Sequence, residues 1–230
     1  LLSLAAASAA ASLALGAANP AAGLDDALQH GDLARGLEIA RAAADWRRES
    51  LAGRPAELAA SLDRLARRLL QAASGTAETE AVGEALLRES LDLRRRTLGE
   101  DHLDVALSLD SLSTAHFFQG RFDEAEDEER RCLTIRLQWL PDSDRLVAFA
   151  RYGLGAILIK EGRYAEAEPL LSAAIAVFRT MQPPDPGQLA DGLNTLADLY
   201  RSQCRFREAE ERFQEALRVV AAGVGQGKFP

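Results

Sequence analysis

Along most of the chain after residue 23, apolar residues return at steps of three, four and seven. Leu109, Leu112 and Ser113 form one such set, and Leu193, Leu196 and Ala197 another. Ala125 with Cys132, Ala167 with Ala174 and Ala209 with Ala216 continue the pattern in the segments that follow. These steps place each set on one side of an α-helix. No stretch after residue 23 alternates apolar and polar residues over strand length with β-branched enrichment. Ala, Leu, Glu, Arg and Gln fill the segments, and these residues lose least on entering a helix. The pattern predicts an all-α protein.

The pattern also repeats as a unit. Gly120-Arg-Phe-Asp-Glu-Ala-Glu126, Gly162-Arg-Tyr-Ala-Glu-Ala-Glu168 and Cys204-Arg-Phe-Arg-Glu-Ala-Glu210 are spaced by a constant 42 residues. Self-similarity at this period is the signature of a helical repeat. The residue before Arg-aromatic stands where the first helix of each copy must stop, a place that suits a positive φ. Each copy therefore reads as a helix–turn–helix hairpin, with repeated Ala letting its helices approach closely. Leu98-Gly-Glu-Asp-His102, Leu140-Pro-Asp-Ser-Asp144 and Gln182-Pro-Pro-Asp-Pro186 separate the hairpins. Pro and Asp there end one helix and cap the next, with Asp185 as N-cap and Pro186 as first helical residue.

An earlier copy is degenerate. Ser61-Leu-Asp63 matches Ser108-Leu-Asp110, and Ser90-Leu-Asp-Leu-Arg94 matches Cys132-Leu-Thr-Ile-Arg136, with an enlarged loop around Ser74-Gly75-Thr76. Leu24 to Ser50 reads as a further divergent pair broken at His30-Gly31-Asp32, as expected of a terminal repeat. The predicted organisation is a leader-like, anchor or linker segment over 1–23 and a divergent hairpin over 24–53. A degenerate repeat over 54–98 follows, then repeats over 99–140, 141–182 and 183–222 and a tail over 223–230.

Charge and composition narrow the function classes. A formal charge of −8 offers no basic footprint for nucleic acid. Arg130, Arg131 and Arg136 beside Asp127, Glu128 and Glu129 read as a solvated, ion-paired helix face. Leu1 to Ala18 contains only Leu, Ala, Ser and Gly, and it is followed by Asn19-Pro20. Such a run reads as a secretory signal peptide, a membrane anchor or an Ala-rich linker. Export or membrane anchoring in a bacterium is the corresponding expectation, with the cytoplasm as the alternative.

The segments Thr97-Leu-Gly-Glu-Asp-His-Leu-Asp-Val-Ala106 and Gln119-Gly-Arg-Phe-Asp-Glu-Ala-Glu126 resemble the 42-residue tetratricopeptide variant of kinesin light chains, which is also widespread in bacterial proteins. The resemblance extends over about Arg54 to Val220. It implies a right-handed α-solenoid of antiparallel helix hairpins whose first helices line a concave, peptide-holding groove. The family often carries an Asn pair in that first helix; here Asn194 is followed by Thr195, and the other copies have Asp110-Ser111, Tyr152-Gly153 and Asp63-Arg64. His102 sits in the inter-repeat turn where the family commonly has the same residue, which implies a turn or capping role.

Within that frame, the stripe beside each first helix's core residues faces the groove. It holds Asp63 and Arg67; Asp110, Thr114 and Phe117; Tyr152, Ala156 and Ile159 with Lys160 at the edge; and Asn194, Asp198 and Arg201. Aromatic and aliphatic anchors with charged ends suit an extended segment of a partner protein, although Phe117 and Tyr152 equally suit packing between repeats.

No catalytic, metal-binding or cofactor residues are predicted. Glycine-rich phosphate loops, Cys-x-x-Cys and His-Glu-x-x-His are absent from the sequence. His116 occupies an interior position and reads as a buried, hydrogen-bonded side chain, His30 as turn chemistry. Cys132 falls on a core position and Cys204 on a turn, a whole repeat apart, so no disulfide is expected. The leading reading is a protein–protein interaction module. Two alternatives stand beside it: a regulatory arm of a larger kinase or protease, which the resemblance to bacterial repeat proteins implies, and self-association through an exposed apolar end of the stack.

Overall fold

The structure, a computed structural model, describes residue 21, residues 23–71 and residues 76–225, with residues 224 and 225 described as backbone only. The leader-like run over 1–18, most of the loop around Ser74-Gly75 and the end of the tail lie outside these residues. Among the described residues there are ten helices and no strand: α1 (Leu24–Gln29), α2 (Leu33–Ser50), α3 (Pro55–Gln71), α4 (Ala77–Leu98), α5 (Leu103–Phe118), α6 (Phe122–Trp139), α7 (Arg145–Lys160), α8 (Tyr164–Thr180), α9 (Pro186–Ser202) and α10 (Phe206–Gly225). Consecutive helices pack in pairs, α1 on α2, α3 on α4, α7 on α8 and α9 on α10. None of the described helices is long and apolar enough to cross a membrane.

The punctuation follows the turn chemistry. Asp32, Asp144 and Asp185 cap α2, α7 and α9 by accepting a backbone N–H, and Pro186 opens α9. Thr76 and Thr79 form a reciprocal capping box at the start of α4. Gly120 and Gly162 end their helices at φ +76° and +77°, and Cys204 occupies the same place at +60°. This backbone conformation is one that glycine adopts cheaply and a cysteine does not, so the turn geometry outlasts the glycine. His102 accepts the Asp104 backbone N–H at 3.1 Å and initiates α5. Cys132 is buried, Cys204 is exposed, and neither is in a disulfide.

The chain divides into two compact units, and the division falls within α5, between Ala115 and His116. In the first unit, Leu58, Leu62, Leu65 and Leu69 of α3 and Leu86, Leu87 and Leu91 of α4 are buried. Ser90 donates to the Ala59 carbonyl at 2.8 Å, tying the pair at mid-length. In the second unit, Leu154 and Leu158 of α7, Leu171 and Ile175 of α8 and Leu193, Leu196 and Leu199 of α9 form one cluster that Ala216 of α10 joins. Gly155 lets α7 approach α8: a Cβ there would lie 2.8 Å from Leu171 Cγ.

Two expectations about charge are corrected. Arg136 and Glu129 are not on a solvated face; both are buried, and Arg136 donates to the Leu146 carbonyl at 2.9 Å. Glu128 is half-buried and takes His116 Nδ1 at 2.8 Å. Helical periodicity alone could not show this, because the neighbouring helix α7 covers the side of α6 on which Arg136 lies.

Candidate functional site

The residues predicted from sequence to face a groove lie on the first helices of the hairpins. In the second unit these are α7 and α9, preceded by the last turn of α5. Both helices turn their Leu-rich side toward α8 and α10, which leaves a second side in part uncovered. Tyr152 is half-buried, sets its ring edge-on to Phe178 with centroids 6.3 Å apart, and shares a hydrogen bond of 3.2 Å with the Thr195 hydroxyl. It therefore ties α7 to α9. Ala156 and Ile159 are half-exposed one and two turns further on, and Lys160 is exposed. Phe117 is half-buried between Phe118 and Phe122, with centroids at 5.6 and 5.7 Å, and the Lys160 ammonium stands 6.0 Å above its ring. Phe118 beside it is 81% exposed.

On α9, Asn194 and Arg201 are exposed and Asp198 is half-buried. Arg201 donates to Asp198 at 2.9 Å, a surface pair that orients both side chains while contributing little stability. In the first unit Thr114 is exposed, and Arg67 and Asp110 are half-buried. Asp63 is 1% exposed and lies beneath Arg67, whose guanidinium approaches it to 2.6 Å. Arg94 stands 3.8 Å away on the other side. Asp63 thus holds cations in place and has no surface to offer a ligand.

A second set of residues repeats with the same regularity and was not singled out by sequence pattern. The turn arginines Arg163 and Arg205 each reach a carboxylate of their own hairpin and one of the hairpin before. Arg163 donates to Glu166 in its own hairpin and to Glu126 of the preceding one, at 2.8 and 2.7 Å. Arg205 likewise donates to Glu208 and, at 2.7 Å, to Glu168. Each latch spans 37 residues from turn arginine to the closing glutamate of the previous motif. The signal was present in the three aligned motifs as a recurrent Arg and a recurrent last Glu. What was missing was the knowledge that neighbouring copies bring them together.

These contacts set the local ionisation. The Arg205 guanidinium holds Glu168 below the usual carboxylate value, against the opposing effect of burial, and the Tyr200 hydroxyl adds a hydrogen bond at 3.0 Å. Burial would raise Glu126, but hydrogen bonds from Arg130 and Arg163 outweigh it and leave it lowered. Glu166 and Glu208 are lowered by Arg163 and Arg205 respectively. Arg205 also lies 4.1 Å over the Tyr200 ring. Burial first, and then Glu168, push the Tyr200 phenol up. All of these groups keep their ordinary charge near neutrality. They behave as fasteners between hairpins, with no acid or base poised to titrate near pH 7.

A cleft of about 300 Å³ opens between α8, α9 and α10 over Ile175, Leu193 and Leu196. Its rim arginines, Arg179 and Arg212, are paired with Glu215 at 2.7 and 2.8 Å. Glu211 also lies 3.7 Å from Arg212, so the rim carries both signs and its arginines are already paired.

No curated protein matches the sequence. Solved structures resemble the fold at low identity. The nearly identical TPR-like repeats of a kinesin light chain from Podosopora anserina align at 19% identity and TM-score 0.65, covering 88% of this chain and 94% of that one. BtubC from P. vanneervenii aligns at 17% and 0.60, covering 90% of each chain. A Rap protein complexed with Competence and Sporulation Factor aligns at 16% and 0.64, over 85% of this chain and 51% of that one. A family model for the tetratricopeptide repeat matches residues 81–138 and 146–222, more than half of the chain. The matched stretches contain the positive-φ turns at Gly120, Gly162 and Cys204, which recur every 42 residues, and the chain belongs to the tetratricopeptide repeat family.

Proposed function

We propose that the chain is a protein–protein interaction module that holds an extended segment of a partner on the uncovered side of its first helices. The tetratricopeptide fold serves protein–protein interaction generally and is typically non-enzymatic, which sets the class. The Rap protein bound to Competence and Sporulation Factor is a similarly folded relative with a bound factor.

One observation carries the placement. In the second unit, half-exposed Ala156, Ile159 and Phe117 are flanked by exposed Lys160, Asn194 and Arg201. An apolar strip bordered by donors matches a segment with an aliphatic side chain between backbone or carboxylate acceptors. Arg67, Asp110 and Thr114 supply the equivalent polar positions in the first unit. Tyr152 serves this surface from beneath, by joining α7 to α9.

The test is capture of partners from a lysate of the source cells by the parent chain and by a Lys160→Glu/Asn194→Ala/Arg201→Glu variant. Tyr152 stays untouched because its removal would disturb packing. Lys160, Asn194 and Arg201 are exposed, so the variant should melt as the parent does. Loss of a captured partner by the folded variant supports the placement. Equal capture by both moves the binding surface elsewhere.

A further inference from the structure

The 42-residue period allows α10 to be compared with α8 position by position. On α8, the side covered by α9 carries Leu171, Ile175 and Phe178, at 0%, 2% and 2% exposure. Forty-two residues on, α10 carries Phe213, Leu217 and Val220. Leu217 is 70% exposed and Val220 37%, and Phe206, the counterpart of Tyr164, is 65% exposed. Together Phe206, Phe213, Leu217 and Val220 run along one side of α10 at steps of seven, four and three. The acceptor recurs as well. Glu126 and Glu168 each receive the arginine of the next turn, whereas among the described residues Glu210 receives only Gln214 Nε2 at 3.0 Å. The outer side of α10 is therefore a stacking surface with its apolar stripe and its acceptor both in place.

We propose that a second copy of this chain covers this side, with its α10 antiparallel to the first about a two-fold axis. Charge selects the occupant and the direction. Glu210 lies in the first half of α10 and Arg218 in the second; Arg218 is exposed and has no ion pair among the described residues. An antiparallel register that sets Phe213 against the partner's Leu217 also brings Glu210 within one helical turn of the partner's Arg218, and the same pair recurs across the axis. A parallel pair would set Glu210 against its own counterpart. A head-to-tail copy would offer the turn His30-Gly31-Asp32, which places Asp32 where the interior turns have Arg and repels Glu210. One helix side per copy is at the small end of specific interfaces, so the dimer is a weak one.

Sedimentation equilibrium on the 230-residue chain over about 1–200 µM tests this. The expected result is a monomer–dimer equilibrium that Leu217→Glu weakens at least about tenfold while helicity and melting are unchanged, Leu217 being mostly exposed. Glu210→Arg alone should weaken association, and Glu210→Arg/Arg218→Glu should restore it. A chain that stays monomeric throughout, or a dimer that survives Leu217→Glu, overturns the proposal. Failure of the charge reversal to restore the dimer overturns the antiparallel arrangement. The variants of the proposed partner surface on α7 and α9 should leave this equilibrium unchanged, so the two readings fail separately.

Discussion

Truncating Phe178 to Ala should uncouple the last hairpin from the rest of the second unit. Phe178 closes α8 at 2% exposure and touches helices on both sides. Its ring meets Phe149 and Tyr152 of α7 with centroids 5.4 and 6.3 Å away. On the other side, α9 comes so near that a methyl group on Gly192 would lie 3.4 Å from the ring and 3.1 Å from Ile175. Removing the ring costs the transfer free energy of its buried carbons plus a cavity, together about 3–5 kcal/mol. The upper half of that range applies, because the ring is held between α7 and α9 as well as by its own helix. For a chain of this length the loss corresponds to a fall in Tm of roughly 10 °C. In a repeat protein the contact between neighbours is a separate contribution to stability. The transition should therefore broaden or split, with the α9–α10 pair melting first.

Urea unfolding followed by circular dichroism would measure the shift, and proton exchange would show which hairpin opens. Phe118→Ala is the matched control: the same side chain is removed from a position 81% exposed, with an expected cost within about 1 kcal/mol. If Phe178→Ala fell no further than Phe118→Ala, the ring would not be the joint between these helices and the reasoning would be refuted.

Two further outcomes follow from charged groups. Arg94 is 4% exposed, donates to Ser108 at 2.6 Å and lies 3.8 Å from the buried Asp63; burial lowers its pKa first, and Asp63 opposes that shift. Arg94→Ala should cost about 3–5 kcal/mol by leaving Asp63 with Arg67 alone. Asp63→Asn/Arg94→Met should recover much of this in chemical denaturation, and a single-variant loss under about 1 kcal/mol would contradict the pairing. The acid side tests the latches between hairpins. Glu126 and Glu168 have depressed pKa values in the folded chain, against 4.5 ordinarily, so the unfolded chain binds more protons as pH falls below 4.5. Their stabilisation is present in full above that value and is lost as pH drops through the depressed folded values. Glu126→Gln/Glu168→Gln should flatten the decline in the urea midpoint below pH 4.5, and an unchanged slope would remove these latches from the account.

Much of the architecture is determined by the sequence itself. Helical type, the stops at Gly120, Gly162 and Cys204, and the Asp185-Pro186 start are properties of residues within one or two turns of each other, and the 42-residue period is visible by aligning the chain with itself. Such short-range chemistry acts the same way whatever packs nearby. The interior place of His116 and Cys132 was legible because repetition itself marks positions: a site that is small or apolar in every other copy is interior here too.

What the tertiary structure alone decided is which of the remaining sides is covered. Asp63 and Asn194 stand at comparable places in their helices, yet one is enclosed by Arg67 and Arg94 and the other is exposed. Arg136 lies in a charged run like those on any solvated helix and is nonetheless buried against α7. Tyr152 was equally compatible with a groove and with a joint, and only the position of Thr195 and Phe178 makes it a joint. The physical reason is common to all three. Periodicity states which residues share a side of one helix, whereas burial and pairing depend on where a second helix stands relative to that side.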